Sequence, residues 1–332
     1  MGDNRVLLSL RGVKTYFPVR KGVFRRTVAH VKAVDGVDLD VYEGETLGLV
    51  GESGCGKSTL GRSILQLTET SGGEIWYDSG EGRKNLCTIS RREMNWARRK
   101  MQIVFQDPHS SLNPAFTVFG SLQDPLRKFG IKSRVERRKI VGDLLESVNM
   151  RREYMDRYPH ELSGGQRQRI GIARALCVDP ALVVCDEAVS ALDVSIRAQV
   201  LNLLLELKKQ RSLTYLFISH DLSVVEYVSD RIAVMYLGKI VELADSDVLY
   251  AEARHPYTQA LLSAIPVVDP ERKTRRIVLE GDVPSPVNPP SGCPFHPRCR
   301  YRMDRCTTEV PLLRKYVKNG RDHFVSCHLA EE

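Results

Sequence analysis

The sequence predicts an α/β protein built on a largely parallel sheet. Short apolar runs, Thr46–Val50, Leu182–Cys185 and Tyr215–Ser219, recur between segments of helical spacing, and that alternation is the mark of parallel α/β architecture. A glycine-rich loop, Gly51–Gly56, joins one such run to a helix. No stretch approaches the roughly 18 uncharged apolar residues of a membrane span, so the chain is not expected to form a pore. With 42% hydrophobic and 27% charged residues, the composition is that of an ordinary globular chain.

The elements follow in order. Apolar alternation at Val6–Leu10 and Val37–Val41 predicts two strands flanking a basic, hairpin-like segment, Arg20–Arg26. Thr46–Val50 is a strand, and Lys57 to about Leu67 a helix. Another strand follows the glycine-rich turn Ser71–Gly73, and Met101–Gln106 is short and apolar enough for one more. From Asp107 to Pro159 the β-branched runs disappear. Ile140, Leu144, Leu145 and Val148 repeat at helical spacing, which predicts a helical insert. Then come helix Gln166–Cys177, strand Leu182–Cys185, helix Ile196–Gln210, strand Tyr215–Ser219, helix Leu222–Tyr227 and a strand pair around Arg231–Leu243. Past Asp245 only His255–Ile265 reads as a helix. Six of the sixteen prolines fall between Pro284 and Pro297, which excludes helix or central strand there. The expected division is a core of residues 1–106 and 160–245, a helical part of 107–159, and an extension of 246–332.

The net charge of +8 alone would suit nucleic acid or an anionic membrane face. Arg91, Arg92, Arg98, Arg99 and Lys100 form one basic cluster, and Lys132, Arg134, Arg137, Arg138 and Lys139 another. Glu93 and Glu136 interleave, so both read as solvated faces, and no nucleic-acid partner is expected. The N-terminus lacks a basic start followed by an apolar run, which argues against secretion. Val6 stands where a myristoylation motif after Gly2 needs Ser or Thr, which argues against a lipid anchor.

Three motifs carry chemistry. Gly51-Glu-Ser-Gly-Cys-Gly-Lys57-Ser58-Thr59 fits G-x-x-x-x-G-K-[ST] between a strand and a helix. Its glycines let successive N–H groups curl around phosphate oxygens at a helix N-terminus, which makes Ser53, Gly54, Cys55, Gly56, Lys57, Ser58 and Thr59 candidate phosphate ligands. Lys57 is expected on the β- and γ-phosphates and the Ser58 hydroxyl on Mg²⁺. The buried run Ala181–Cys185 ends in Asp186 and Glu187, at the sheet edge where active groups collect. Asp186 suits the Mg²⁺ shell, and Glu187 suits polarising a water. In Leu162-Ser163-Gly164-Gly165-Gln166, Ser163 is a natural N-cap and paired glycines free N–H groups for an anion.

LSGGQ, preceded by a phosphate loop and followed by an Asp-Glu pair, resembles the signature of ATP-binding cassette (ABC) proteins. The resemblance implies a RecA-like parallel core, an N-terminal antiparallel β subdomain and a helical subdomain, with a short Cys-containing C-terminal extension. It implies ATP and Mg²⁺, with Glu187 and His220 (in FISHD) catalytic. Gln106 in VFQDP resembles the glutamine that touches Mg²⁺ or water. Ser190–Asp193 resembles the loop that contacts a second cassette, making Asp193 a site residue. Ser163, Gly165 and Gln166 would face ATP across that interface. Phe17 looks like the aromatic that stacks on adenine, with Tyr16 the alternative. VYEGETLGLVGESGCGKSTLGR, QDPHSSLNP, DEAVSALDVSIRAQVLNLL and HPYTQALLSAIP followed by PSPVNPPSGCPFHPRC are similar to ATP-binding subunits of bacterial oligopeptide/dipeptide importers. Ala188 departs from the proline usual after Asp-Glu. The implied partners are a second, non-identical ATPase subunit, two membrane permeases and an extracytoplasmic binding protein. The implied location is the cytoplasmic face of the cell membrane. Rival readings are a soluble ABC ATPase on nucleic acid or ribosomes, an exporter motor, and a related importer for nickel, glutathione or sugars.

Cys293, Cys299, Cys306 and Cys327 crowd into the tail, and a reducing compartment would favour metal ligation over disulfides. A proline-dense segment with few large apolar residues also suggests a staple. The spacing C-x5-C-x6-C-x20-C selects no metal, and four thiolates suit zinc or iron–sulfur alike. His296 and His328 are further zinc candidates. The resemblance favours a structural [4Fe–4S] cluster, with zinc as the alternative.

Overall fold

The structure, a computed structural model, describes residues 5–22, 24–80, 82–107, 112–265, 276–318 and 320–331. Gly2 of the discounted lipid motif, and Pro108–Ser111 of QDPHSSLNP, lie outside the described residues.

The chain opens with a long hairpin, β1 (Val6–Lys21) and β2 (Arg26–Tyr42), and β3 (Thr46–Val50) leads through the glycine loop to α1 (Lys57–Ile64). β4 (Gly72–Asp78), β5 (Arg83–Asn85), α2 (Arg91–Lys100) and β6 (Met101–Val104) follow. The insert holds α3 (Val118–Lys128) and α4 (Arg134–Ser147). Next come α5 (Gly164–Leu176), β7 (Leu182–Asp186), α6 (Val194–Arg211), β8 (Thr214–Ile218) and α7 (Leu222–Val228). β9 (Arg231–Tyr236), β10 (Lys239–Asp245), α8 (Ser246–Glu252) and α9 (Pro256–Ser263) lead into a tail with α10 (Arg305–Thr308), β11 (Arg314–Lys318) and β12 (Arg321–Val325).

Two sheets result. β2-β1-β4-β5 is antiparallel, and the larger sheet runs β11-β12-β10-β9-β3-β8-β7-β6. Its stretch from β9 to β6 is parallel, and β10, β12 and β11 add on antiparallel at one side. Side chains alternate between two cores, as the two-residue period of a strand requires. Along β7, Leu182 and Val184 enter the core beneath β1 and β2, while Val183 and Cys185 enter the core shared with the helices.

Three local features depart from the sequence reading. The strands expected at Val6–Leu10 and Val37–Val41 are only the buried ends of a far longer hairpin. Its outer part is half-exposed on both faces, so it shows no apolar alternation. The basic cluster Arg91–Lys100 is helix α2, closed by a Ser90–Glu93 capping box. Only Ala97 of α2 is buried, which leaves no apolar stripe to read. α8 begins where the sequence pattern decays, and β12 joins the main sheet through β10, pairing Leu243 with Phe324.

The metal expectation for the tail needs correction. Among the described residues no group of three or more His, Cys, Asp or Glu is arranged to hold a metal ion. Cys293, Cys299, Cys306 and Cys327 are free and border a cavity of only about 20 Å³, so neither [4Fe–4S] nor zinc is supported. Burial pushes the Cys293 thiol up to about 12 and raises Cys299 and Cys327 as well. The tail packs into the main core. Phe295 is 1% exposed and packs on Tyr236 and Tyr257 at ring distances of 5.3 and 5.4 Å.

The junction between tail and sheet is polar yet satisfied. Buried Glu242 accepts from the N–H of Arg254 (2.7 Å) and His255 (3.1 Å), and its Oε1 lies 2.7 Å from Nε2 of His323. His255 caps α9, its Nδ1 accepting from Tyr257 N–H at 3.1 Å. Burial drives His255 down to about 4, against the opposing pull of Glu242. The depressed pKa fixes the sign: between about pH 6.5 and 4 the unfolded chain takes a proton that the folded one refuses. Stability is therefore expected to fall on acidification from pH 7 through this window, by on the order of 3 kcal/mol for this group. Denaturant titrations at pH 7 and 5 should show a flatter dependence in His255→Asn, which keeps a helix cap. An equally steep dependence in that variant would remove His255 as the cause.

Candidate nucleotide site

α1 starts on a loop whose conformation only glycine tolerates. Gly56 has φ +109°, and a Cβ there would lie 2.0 Å from the carbonyl oxygen of Ala33. The loop turns back on itself around Lys57, which is buried. Its Nζ donates to the carbonyls of Gly51 (2.7 Å) and Glu52 (3.0 Å), which draws the loop into a ring around the ammonium. Such a ring with a helix N-terminus behind it is a ready anion cradle.

β7 delivers the acidic pair beside this loop. The Ser58 hydroxyl donates to Oδ1 of Asp186 at 2.6 Å, tying the first turn of α1 to the end of β7. Among the described residues Oδ2 of Asp186 is buried without a hydrogen-bond partner, and Arg62 approaches it only to 3.7 Å. Burial raises the Asp186 carboxyl, while the Ser58 bond opposes the rise. A buried carboxylate oxygen lacking a donor, next to a hydroxyl, is the hard-oxygen set that Mg²⁺ favours. Mg²⁺ therefore fits Ser58 and Asp186, and Gln106 lines the same cleft as Ser58.

Glu187 sits one residue further on, in the left-handed region at φ +49°. Its N–H donates to the Ile218 carbonyl at 3.0 Å, and its carbonyl accepts from the Ser190 N–H at 3.1 Å. Strain of this kind persists only where the surroundings impose it, and it is common at active sites. The turn aims the carboxylate between two side chains. Gln106 Nε2 donates to Oε2 at 2.7 Å, and His220 Nδ1 lies 3.3 Å from Oε1. Ser53, Gly54, Gly56, Lys57, Ser58, Thr59, Gln106, Glu187 and His220, with Ala33, line one cleft of about 560 Å³.

The remaining site residues expected from sequence lie elsewhere. Ser163 caps α5, accepting from Gln166 N–H at 3.3 Å while Gln166 Oε1 accepts from Ser163 N–H at 3.0 Å. With Gly165, Tyr154, Arg169 and Ile196 they line a separate cleft of about 320 Å³ that shares no residue with the first. Asp193 is exposed ahead of α6 and makes no side-chain cap. Cys55 is buried under the loop, where burial raises its thiol. Phe17 is 41% exposed on β1 and outside the cleft lining. Tyr16 is engaged, its hydroxyl donating to Asp35. Two contributors escaped the sequence reading. Ala33 had no signal at all, whereas Arg62 stands one helical turn after Ser58, a spacing that puts both on one face of α1.

Comparison with known proteins bears on this geometry. The ABC transporter family pattern matches residues 34–190, and that of the oligopeptide/dipeptide transporter C-terminal region matches 241–306. The chain is 50% identical over 329 residues to the oligopeptide transport ATP-binding protein AppF of Bacillus subtilis, covering 98% of each. It is 49% identical over 323 residues to the probable peptide ABC transporter ATP-binding protein y4tS of Sinorhizobium fredii, covering 97% and 90%. Among solved structures, a dimeric post-hydrolysis state of the ATP-binding cassette MJ0796 with ADP and phosphate matches at TM-score 0.62. Its identity is 27%, over 72% of this chain and 98% of that one. cbiO1 of Clostridium perfringens, part of an ABC transporter complex, matches at TM-score 0.62 and 26% identity, over 75% and 92%.

The loop geometry generates a direct test. Gly56→Ala should lower the unfolding free energy by roughly 2 kcal/mol or more, because the new Cβ meets backbone rather than a movable side chain. Thermal melting measures this, and an unchanged melting temperature would show that the loop relaxes around a side chain.

Proposed function

The chain belongs to the ABC transporter family, and from that premise we propose that it is the ATP-hydrolysing motor subunit of a peptide importer. The observation that carries the reading is one cleft joining the phosphate loop around Lys57 to Glu187, itself held between Gln106 and His220. The relatives named as oligopeptide and peptide transport ATP-binding proteins support peptide as the transported class.

The residues divide the work by their chemistry. Lys57 and the amides of Ser53–Thr59 bind the phosphates, and α1 adds its dipole. Phe17, exposed on β1, stacks on adenine. Ser58, Asp186 and Gln106 hold Mg²⁺, which supplies neutralisation of phosphate charge when bound. Glu187 accepts a proton from the attacking water at its carboxylate, and Gln106 and His220 keep that carboxylate aimed into the cleft.

Two chains are needed to enclose each ATP. Ser163, Gly165 and Gln166 lie in a different cleft from Lys57, so within one chain they do not face the same nucleotide. In the proposed arrangement the Ser163 loop of a second, non-identical subunit closes the site, with Asp193 at that interface. Nucleotide binding then favours the closed pair, and hydrolysis with release favours the open one. The helical part, 107–159, docks against two permeases supplied by an extracytoplasmic binding protein. Among the described residues no helix is long and apolar enough to cross a membrane, which fits attachment through the permeases at the cytoplasmic face.

Glu187→Gln is expected to leave ATP binding intact and slow hydrolysis by ~10²–10⁴, the range for losing a general base. Lys57→Ala should instead weaken nucleotide binding. The isolated chain should hydrolyse ATP slowly, and addition of the permeases and second ATPase should raise turnover well above that rate. Near-normal turnover by assembled Glu187→Gln, or full activity from a strictly monomeric chain, would sink the scheme.

A further inference from the structure

On the premise that the cleft binds nucleotide, we propose that Arg298 and Tyr257 of the C-terminal region are positioning residues for the phosphate loop. They act through Glu52, so that ATP affinity depends on a tail none of whose described residues lines the cleft.

Glu52 is the second residue of the loop, and each of its polar parts is held. The guanidinium of Arg298 donates twice to its carboxylate, Nη1 to Oε2 at 2.7 Å and Nη2 to Oε1 at 3.1 Å. This two-pronged geometry fixes the carboxylate plane as well as its position, which a single bond does not. The Glu52 N–H donates to the Tyr257 hydroxyl at 2.8 Å. Its carbonyl accepts from Lys57 at 3.0 Å, the lysine directed to phosphate. A shift of Glu52 therefore moves one of the two carbonyls that place the Lys57 ammonium.

The clamp itself is packed against the sheet. The Arg298 side chain is 7% exposed, and the residue closes a short turn, His296–Arg298, directly after Phe295. Phe295, Tyr257 and Tyr236 pack as a ring trio, with Tyr236 and Tyr257 only 4.7 Å apart. Tyr236 ends β9, the strand beside β3, so the trio fastens the clamp to the sheet that carries the loop. A second tie runs from Lys32 N–H to the Pro286 carbonyl at 3.0 Å, next to Ala33 of the cleft wall.

A pair that merely anchored the tail would influence melting and leave nucleotide affinity alone. A positioning pair changes the fraction of loops in the binding-competent shape. If that fraction falls to about a tenth, the apparent dissociation constant rises about tenfold. The test uses the full chain with Arg298→Ala, Glu52→Gln, Tyr257→Phe and the double variant Glu52→Gln/Arg298→Ala. Titration with a fluorescent ATP analogue reads affinity, and hydrogen exchange of the 51–59 amides without nucleotide reads the loop itself. Each single variant should weaken binding, Arg298→Ala by about tenfold and Tyr257→Phe by less, with faster loop exchange. The double variant should be no weaker than the poorer single, because both remove one interaction. Tyr257→Phe deletes only a hydroxyl and tests the idea even if Arg298→Ala does not fold. Unchanged affinity and loop exchange in the single variants, or strictly additive losses in the double, would overturn the proposal. Faster loop exchange in Arg298→Ala from a parent chain that binds no ATP would support the clamp and overturn the nucleotide reading instead.

Discussion

The parallel register of four strands governs where chemistry occurs. Leu49 of β3 pairs with Ile218 of β8, Ile218 with Asp186 of β7, and Cys185 of β7 with Val104 of β6. The carboxyl ends of these strands are therefore level, although they stand far apart in sequence. The residues just past those ends must meet at one edge: Gly51 after β3, Gln106 after β6, Glu187 after β7 and His220 after β8. A slip of one residue in any pair would turn that strand's whole side-chain set to the other face. The two cores on either side of the sheet forbid the slip, since Val183 and Cys185 serve one and Leu182 and Val184 the other. Packing of apolar side chains thus fixes the distances between polar ones.

Level strand ends also concentrate like charge, and the edge tolerates it through placement of partners. Asp186 and Glu187 are adjacent, and the Coulomb repulsion between them adds to the burial that raises Asp186. Two devices keep the pair separate in function. The left-handed backbone at Glu187 sets the second carboxylate between Gln106 and His220. Ser58 and the more distant Arg62 remain with Asp186, one at each oxygen. Adjacent acids in sequence become two different instruments in space.

Legibility in the sequence follows the range of the interaction. Gly51–Thr59, Asp186–Glu187 and Ser163–Gln166 are readable because each is a continuous loop whose chemistry is complete over a few residues. The parallel core is readable because strands buried on both faces leave unbroken apolar runs. α2 is not, since a capping box and one buried alanine make no periodic signal. The tail misleads for a different reason. Its prolines and cysteines suggest a segment that must be stable alone, whereas Phe295 and Cys293 belong to the main core. Nor can Glu52 be matched with Arg298 in the sequence, because no pattern of period 2 or 3.6 relates residues 246 apart.

The position of the Ser163 loop points beyond one chain. Its capping box satisfies the N–H groups of Ser163 and Gln166, and the paired glycines between them stand at the positive end of α5. Gly165 is there for fit, since a Cβ would lie 2.5 Å from Ile196 Cγ2. The sequence thus maintains a close-packed, donor-rich surface in a cleft that holds neither the phosphate loop nor the acidic pair. Within the proposed pair, each cleft is one half of a site whose other half another chain presents. The binding energy of a nucleotide is then realised only when both halves meet, and this makes ATP a force on the permeases rather than a passive ligand. Under that scheme, a phosphate loop steadied from Arg298 and Tyr257 meets the second subunit's signature loop in one shape, so little of the closing energy is spent on ordering it.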